Sequence, residues 1–401
     1  MTRRVTRVMR SPGSGPSSGP VLDRRLFATG MAALPLLGSA GCASMGDAKA
    51  SGVSVSEFGG MPDGQPIRLF TLTNHGGRVV KVMTWGAAVT SVTMQDRNGA
   101  LAEMVLGLDT AEDYIARSRN FGATIGRYAG RIAGGKFPLD GRIVQLDTGG
   151  SANSSHGGPV GFGKRNWTGR TDETPEGPGV AMTLVSADGD QGFPGEMTVT
   201  ALYRLTHDDR LTLNFTATTT KPTVLNPTHH GYFNLGGDAE TLVLDHVVTI
   251  EADGFTAFDA GKFVTGEIRP VAGTPLDFRT PKTIGRDLTV PDEQMTIGGG
   301  YDHNFVIRGA LGTLRKAVRV DHPGSGRRME LWTTEPGVQM YTANAVEMIG
   351  RGGAAWRPHC GVALEPQHYQ NSPNRPEFPT TVLRPGQTFR STSEYRFGLI
   401  A

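Results

Sequence analysis

Met197-Thr198-Val199-Thr200-Ala201-Leu202-Tyr203-Arg204-Leu205-Thr206 and Leu211-Thr212-Leu213-Asn214-Phe215-Thr216-Ala217-Thr218 decide the fold. In the second run every apolar residue is followed by a polar one. The first run alternates the same way, broken only by Leu202. A period of two places one set of side chains in a core and the other in water, which is a half-buried strand. The polar connection His207-Asp208-Asp209-Arg210 fits a hairpin between them.

The same reading extends outward. Asp188 to Gly195 is a long turn-rich loop, while Thr241–Glu251 and Glu330–Thr334 are predicted strands. Helical periodicity over 11 residues or more is hard to find, and Ala111–Arg117 is expected to form one or two turns. The 56 glycines and 25 prolines, without a collagen-like period, suit many turns between short strands. No internal repeat and no Ser/Gly linker follow residue 60. One antiparallel all-β domain over residues 51–401 is therefore expected. A double-sheet sandwich or large barrel would bury its alternating faces.

The first 50 residues read as an address. Arg24-Arg25-Leu26-Phe27 opens an uncharged stretch from Leu26 to Gly41, long enough for a signal core and short for a membrane span. The Arg pair, between Asp23 and Phe27, resembles a twin-arginine export signal. Ser39-Ala40-Gly41-Cys42 is a candidate lipoprotein box, with Cys42 as the anchor. An exported, periplasmic protein is expected.

That leader distorts the overall charge of +2. Residues 1–42 hold six Arg and one Asp, which leaves 34 basic and 37 acidic residues for the rest. The body is not basic, so no nucleic-acid partner is expected. Composition is otherwise that of a globular protein, with 37% hydrophobic and 19% charged residues. Cys42 and Cys360 cannot build a disulfide framework, and no Cys/His spacing suggests zinc.

Several segments carry polar residues out of register with the alternation: Gly126-Arg127-Tyr128-Ala129-Gly130-Arg131-Ile132, Asn153 to Gly158, Asn226 to Leu235, Gly300 to Phe305, Thr334 to Tyr341 and Leu364-Glu365-Pro366-Gln367. Glu365 ends an apolar run, where desolvation would raise its pKa toward a working range. A structural ion pair with an Arg is the competing reading of such a residue.

The order and wording of these segments resemble the aldose 1-epimerase (galactose mutarotase) family across nearly all of residues 55–400. Phe121–Phe137 resembles its Gly-Arg-x-x-Asn-Arg-Ile segment, and His156-Gly157-Gly158 its Leu-His-Gly-Gly segment. Asn226–Leu235 resembles Asn-x-Thr-Asn-His-x-Tyr-Phe-Asn-Leu, with the remaining segments in the family's order. The resemblance implies a galactose mutarotase-like supersandwich fold and interconversion of the α and β anomers of free aldoses such as galactose, glucose or xylose. It implies Glu365 as general base on the anomeric hydroxyl and His230 as general acid on the ring oxygen. Arg131, His156, Asp302 and Gln339 would bind the sugar, with no metal or cofactor. Hemiacetal opening relieves charge at two oxygens at once, so an acid and a base must act together. Near pH 7 the base should be ionised and the acid protonated.

Three departures stand out. Gly130 replaces the Asn before Arg131, removing one polar contact. Ser155 replaces the Leu before His156, so a looser loop is expected. His229 replaces an Asn and adds a titratable neighbour to His230. A non-catalytic sugar-binding protein on the same fold is the alternative, but it would not need the Glu–His pair. A phosphosugar epimerase would need more basic residues. A glycoside hydrolase would need a second carboxylate beside Glu365, for which Asp302 and Glu335 are the candidates.

Overall fold

A computed structural model describes residues 51–237 and 241–401. The leader and Cys42 lie outside the described residues. The strands Met197–Leu205 and Arg210–Thr219 pair antiparallel with Val199 opposite Ala217, Ala201 opposite Phe215 and Tyr203 opposite Leu213. This register stacks apolar on apolar, so the whole buried face is continuous across the hairpin. Leu202, the exception to the alternation, faces partly outward. Arg204 is buried against Asp172 at 2.5 Å and donates to the Gly177 carbonyl at 2.8 Å.

That hairpin sits within a nine-stranded antiparallel sheet. In spatial order its strands are Thr168–Thr171, Gly179–Ser186, Met197–Leu205, Arg210–Thr219, Phe389–Leu399, Arg327–Thr333, Arg315–His322, Val247–Ile250 and Lys282–Thr283. A six-stranded sheet runs Tyr232–Phe233, Val362–Gln367, Gly337–Tyr341, Asp302–Ile307, Ala252–Phe258 and Val264–Pro270. One core joins them: Val199, Leu213, Leu331 and Tyr395 of the first pack with Phe255, Phe305, Val338 and Leu364 of the second. A five-stranded sheet from Gly52 to Glu103 adds Leu72, Val80 and Val92 to the same core. The result is a large antiparallel β-sandwich.

Helix is scarce among the described residues. Ala111–Arg117 is helical, capped by the Thr110 side chain, which accepts from Asp113 N. Glu293–Gly298 is the other α-helix. The predicted strand over 241–251 is shorter than expected. Val243–Asp245 forms a 3-10 turn, and pairing begins at Val247. The cause is tertiary: the His246 ring is buried, and its Nε2 accepts from the Leu235 amide at 2.8 Å, holding the chain off the sheet edge.

Candidate active site

The middle of the six-stranded sheet turns a polar row outward. In Val362–Gln367, Leu364 faces the core, so Glu365 and Gln367 face away. Gln339 lies directly opposite Glu365, and Asn304 opposite Gln339. Asp302, two residues before Asn304, shares that face. Glu365, Gln339 and Asp302 thereby meet from three adjacent strands.

The short strand Thr228–His230, paired with Ala123–Ile125, brings the histidines. Alternation sends the two neighbours to opposite sides. His230 Nε2 lies 3.5 Å from Glu365 Oε1, and both side chains are about 95% buried (6% and 4% exposed). His229 enters the core instead, where Nδ1 meets the Tyr395 hydroxyl at 3.1 Å amid the rings of Tyr203, Phe233 and Tyr395. His229 is therefore part of the packing rather than a second group in the cavity. Burial, and secondarily the neighbouring His230, push its pKa down to about 3.

Arg131 and His156 come from two loops tied by their main chains. Arg131–Ala133 pairs with Asn153–Ser155, and His156 N donates to Gly130 O at 2.9 Å. Ser155 is exposed, and this pairing holds the loop that its side chain was expected to loosen. The His156 ring stands edge-on to His230, 5.6 Å between centroids. Gly157 fits because a Cβ there would lie 1.8 Å from the Gly126 carbonyl oxygen, at φ +85°. Arg127 does different work from Arg131. It is buried, and its guanidinium donates to the carbonyls of Ser186, Ala187 and Pro194, clamping the 188–195 loop.

All six residues singled out from the sequence, Glu365, His230, Arg131, His156, Asp302 and Gln339, line one cavity of about 660 Å³. That volume is within the range of small-ligand sites, roughly 300–1,000 Å³. Three further residues at the cavity had been given no site role. At Gly130 (φ +71°) a Cβ would lie 2.4 Å from Gln370 Cγ, so the Gln370 side chain occupies the space a larger residue would take. Gln370 also supplies the polar contact expected to be missing. Its Oε1 accepts from Arg131 N at 3.2 Å, and its Nε2 donates to Gln339 Oε1 at 3.1 Å. Gln339 Nε2 in turn donates to Asp302 Oδ1 at 2.6 Å, and Lys262 Nζ binds Asp302 Oδ2 at 2.6 Å. Gln367 is the third: its amide is buried at the cavity with neither polar atom bonded to protein. The signal for Gln367 and Gln370 lay beside Glu365 in sequence. Lys262 sits in a loop that carries no pattern.

The protonation of the pair follows from burial. Desolvation pushes the Glu365 carboxyl well above the usual carboxylate range; the Asp302 charge adds to this and Arg131 opposes it. Desolvation pushes His230 down to about 4, against the pull of Asp302. His156 falls to about 3, for burial first and the charges of His230, Arg131 and Lys164 next. Burial thus opposes the charged form of both members of the pair, the carboxylate and the imidazolium alike. No arginine forms an ion pair with Glu365 among the described residues, so the bland reading of this acid does not hold. Glu335 lies elsewhere, 2.6 Å from His368 Nδ1, and does not line the cavity.

Among the described residues, Asp245, His246 and His322 form another cluster of titratable groups. His246 Nε2 accepts from Leu235 N, and His322 Nδ1 accepts from Ser325 N at 3.1 Å. Each ring therefore turns an N–H toward Asp245, at 3.1 and 3.2 Å. Those two protons fill the positions a metal ion would need.

The described residues thus form a β-sandwich with a buried carboxyl–imidazole pair in a polar cavity. The family model described as aldose 1-epimerase matches residues 68–396. The galactose mutarotase of Bos taurus is 39% identical over 350 residues, 86% of this chain and 99% of its own. The aldose 1-epimerase of Escherichia coli (strain K12) is 38% identical over 339 residues, 84% of this chain and 96% of its own. The crystal structure of galactose 1-epimerase from Lactobacillus acidophilus superposes with a TM-score of 0.77 at 28% identity, covering 88% of this chain and all of that one. The chain belongs to the aldose 1-epimerase family, and is a carbohydrate isomerase that interconverts the anomers of free aldoses.

Proposed function

We propose that Glu365 and His230 carry the two proton transfers of this reaction, with Arg131, His156, Asp302 and Gln339 orienting the sugar, and that galactose, glucose and xylose are among its substrates. The observation that carries the roles is the 3.5 Å contact between two otherwise buried ionisable groups at the floor of the cavity. In the reactive state the pair holds one proton, with Glu365 as carboxylate and His230 as imidazolium. Glu365 then takes the proton of the anomeric hydroxyl while His230 gives its proton to the ring oxygen. The bond from C1 to the ring oxygen breaks, and C1 becomes the aldehyde carbon. The pair ends as a neutral acid and a neutral imidazole, the state that a dry site favours. Rotation about C1–C2 presents the other carbonyl face, and closure reverses both transfers. Asp302, accepting only, can take hydrogen bonds from two sugar hydroxyls.

Polarimetry tests this. Freshly dissolved α-D-galactose, α-D-glucose and α-D-xylose should relax faster with enzyme than without. Glu365→Gln and His230→Asn should each lose at least about a hundredfold in kcat, since each removes one proton carrier. Near-normal turnover by either variant would refute the assignment. Loss in His229→Asn alone would move the acid by one residue. We also place the protein outside the cytoplasm, on the Arg24-Arg25 segment, with Cys42 as a candidate lipid anchor. Cytoplasmic recovery of full-length protein on cell fractionation would overturn that.

A further inference from the structure

We propose that this site also accepts aldoses bearing a carboxylate, the hexuronates, with Arg131 receiving the carboxylate and Lys262 cancelling the charge of Asp302. The proposal extends the reading above and rests on it. Two carboxyl groups line the cavity, Asp302 and Glu365, and either would repel an anionic sugar if it stood uncompensated.

Neither does. Lys262, in the loop between Ala252–Phe258 and Val264–Pro270, adopts a left-handed conformation at φ +62°. From there its ammonium reaches Asp302 Oδ2 at 2.6 Å and donates to the Gly298 carbonyl at 2.9 Å. The other Asp302 oxygen is held by Gln339. Glu365 faces His230. The charge left over on the cavity wall is therefore positive. Arg119 and Arg131 both line it, and neither guanidinium forms an ion pair among the described residues.

The position of Arg131 suits C6 of a pyranose. If His230 serves the ring oxygen, the exocyclic carbon hangs from the ring atom next to that oxygen, on the His230 side. The His156 ring stands against His230, and Arg131, whose main chain pairs with Ser155, lines the same cavity. A neutral hydroxymethyl group would leave this guanidinium without a counter-charge. A carboxylate would take two parallel N–H donors from it. The reaction itself is unchanged, because C6 takes no part in opening or closing the ring.

The test compares α-D-galacturonate with α-D-galactose by polarimetry at low temperature, using full-length wild type, Lys262→Met and Lys262→Arg. Wild type should accelerate both sugars. Lys262→Met should lower the ratio of kcat/KM for galacturonate over galactose by about tenfold or more, because it exposes the Asp302 charge to the anion. Lys262→Arg should restore most of that ratio. Independently of any variant, added salt should weaken wild-type turnover of galacturonate several-fold more than that of galactose. Acceleration of galactose without galacturonate would overturn the proposal and leave the epimerase reading intact. Acceleration of neither sugar would sink both. An unchanged ratio in a folded Lys262→Met protein would overturn the role of Lys262 in masking Asp302, and equal salt dependence for the two sugars would overturn selection of the anion by the positive wall.

Discussion

Replacing His229 by asparagine should change how the stability of this protein responds to acid. The imidazole is 1% exposed, packed among aromatic rings, with Nδ1 bonded to the Tyr395 hydroxyl and Nε2 unbonded. Its pKa is about 3 in the folded chain, against about 6.5 when unfolded. The folded value is the lower one. As pH falls, the unfolded chain binds a proton first, so stability is fully present above about pH 6.5 and is lost as pH falls toward about 3. Between about pH 8 and pH 5 the lost span is about 1.5 units, or ~2 kcal/mol at ~1.4 kcal/mol per unit. Asparagine can keep the Tyr395 bond and cannot titrate. It should cost about 1–3 kcal/mol at pH 8 for the smaller side chain. Its stability should then fall by ~2 kcal/mol less than wild type on going to pH 5. His156, His230 and His303 are also held neutral by burial and contribute in both proteins, so the difference reads His229 together with its coupling to His230. Urea titrations at several pH values give the two curves. Parallel curves would refute the argument that this histidine is buried uncharged.

Two other expectations concern the site. The active form carries one proton on the Glu365–His230 pair, so kcat/KM for galactose should fall on the acid side near pH 4, the depressed value of His230. The alkaline limb should lie well above the usual carboxylate range, set by Glu365. An acid limb near the ordinary imidazole value, in protein still folded by circular dichroism, would contradict the burial argument. Gly157→Ala should destabilise the fold by more than about 3 kcal/mol, since the new Cβ meets the Gly126 carbonyl and the backbone is left-handed there; a wild-type Tm would refute this.

Much of the sandwich was legible because alternation is a local signal. The Met197–Leu205 and Arg210–Thr219 hairpin could be read from residue order alone, and so could the short helix at Ala111–Arg117. The stretch before Val247 was not, because its geometry depends on a bond between His246 and the distant Leu235 amide. The six candidate residues were legible as ordered segments, and they share one cavity. Lys262 was not: it reaches the cavity from a loop that belongs to no periodic pattern, and Gln370, although near Glu365 in sequence, lies past the end of that strand. The rise of Glu365 was legible from the apolar run before it, but the depression of His230 was not, since it depends on how much water the closed fold leaves around the imidazole.

The chain of contacts from Arg131 N through Gln370 and Gln339 to Asp302 has a direction. A main-chain N–H can only donate, and a carboxylate can only accept. With those two ends fixed, both intervening amides can point only one way, each passing its oxygen to the residue before and its N–H to the residue after. A sugar lying across this wall meets acceptors at the Asp302 end and donors at the arginine end. A hydroxyl at the Asp302 end would therefore give its hydrogen to the wall, and one at the arginine end would receive a hydrogen from it. Changing either glutamine to glutamate would put two acceptors face to face and break the relay between the arginine loop and Asp302.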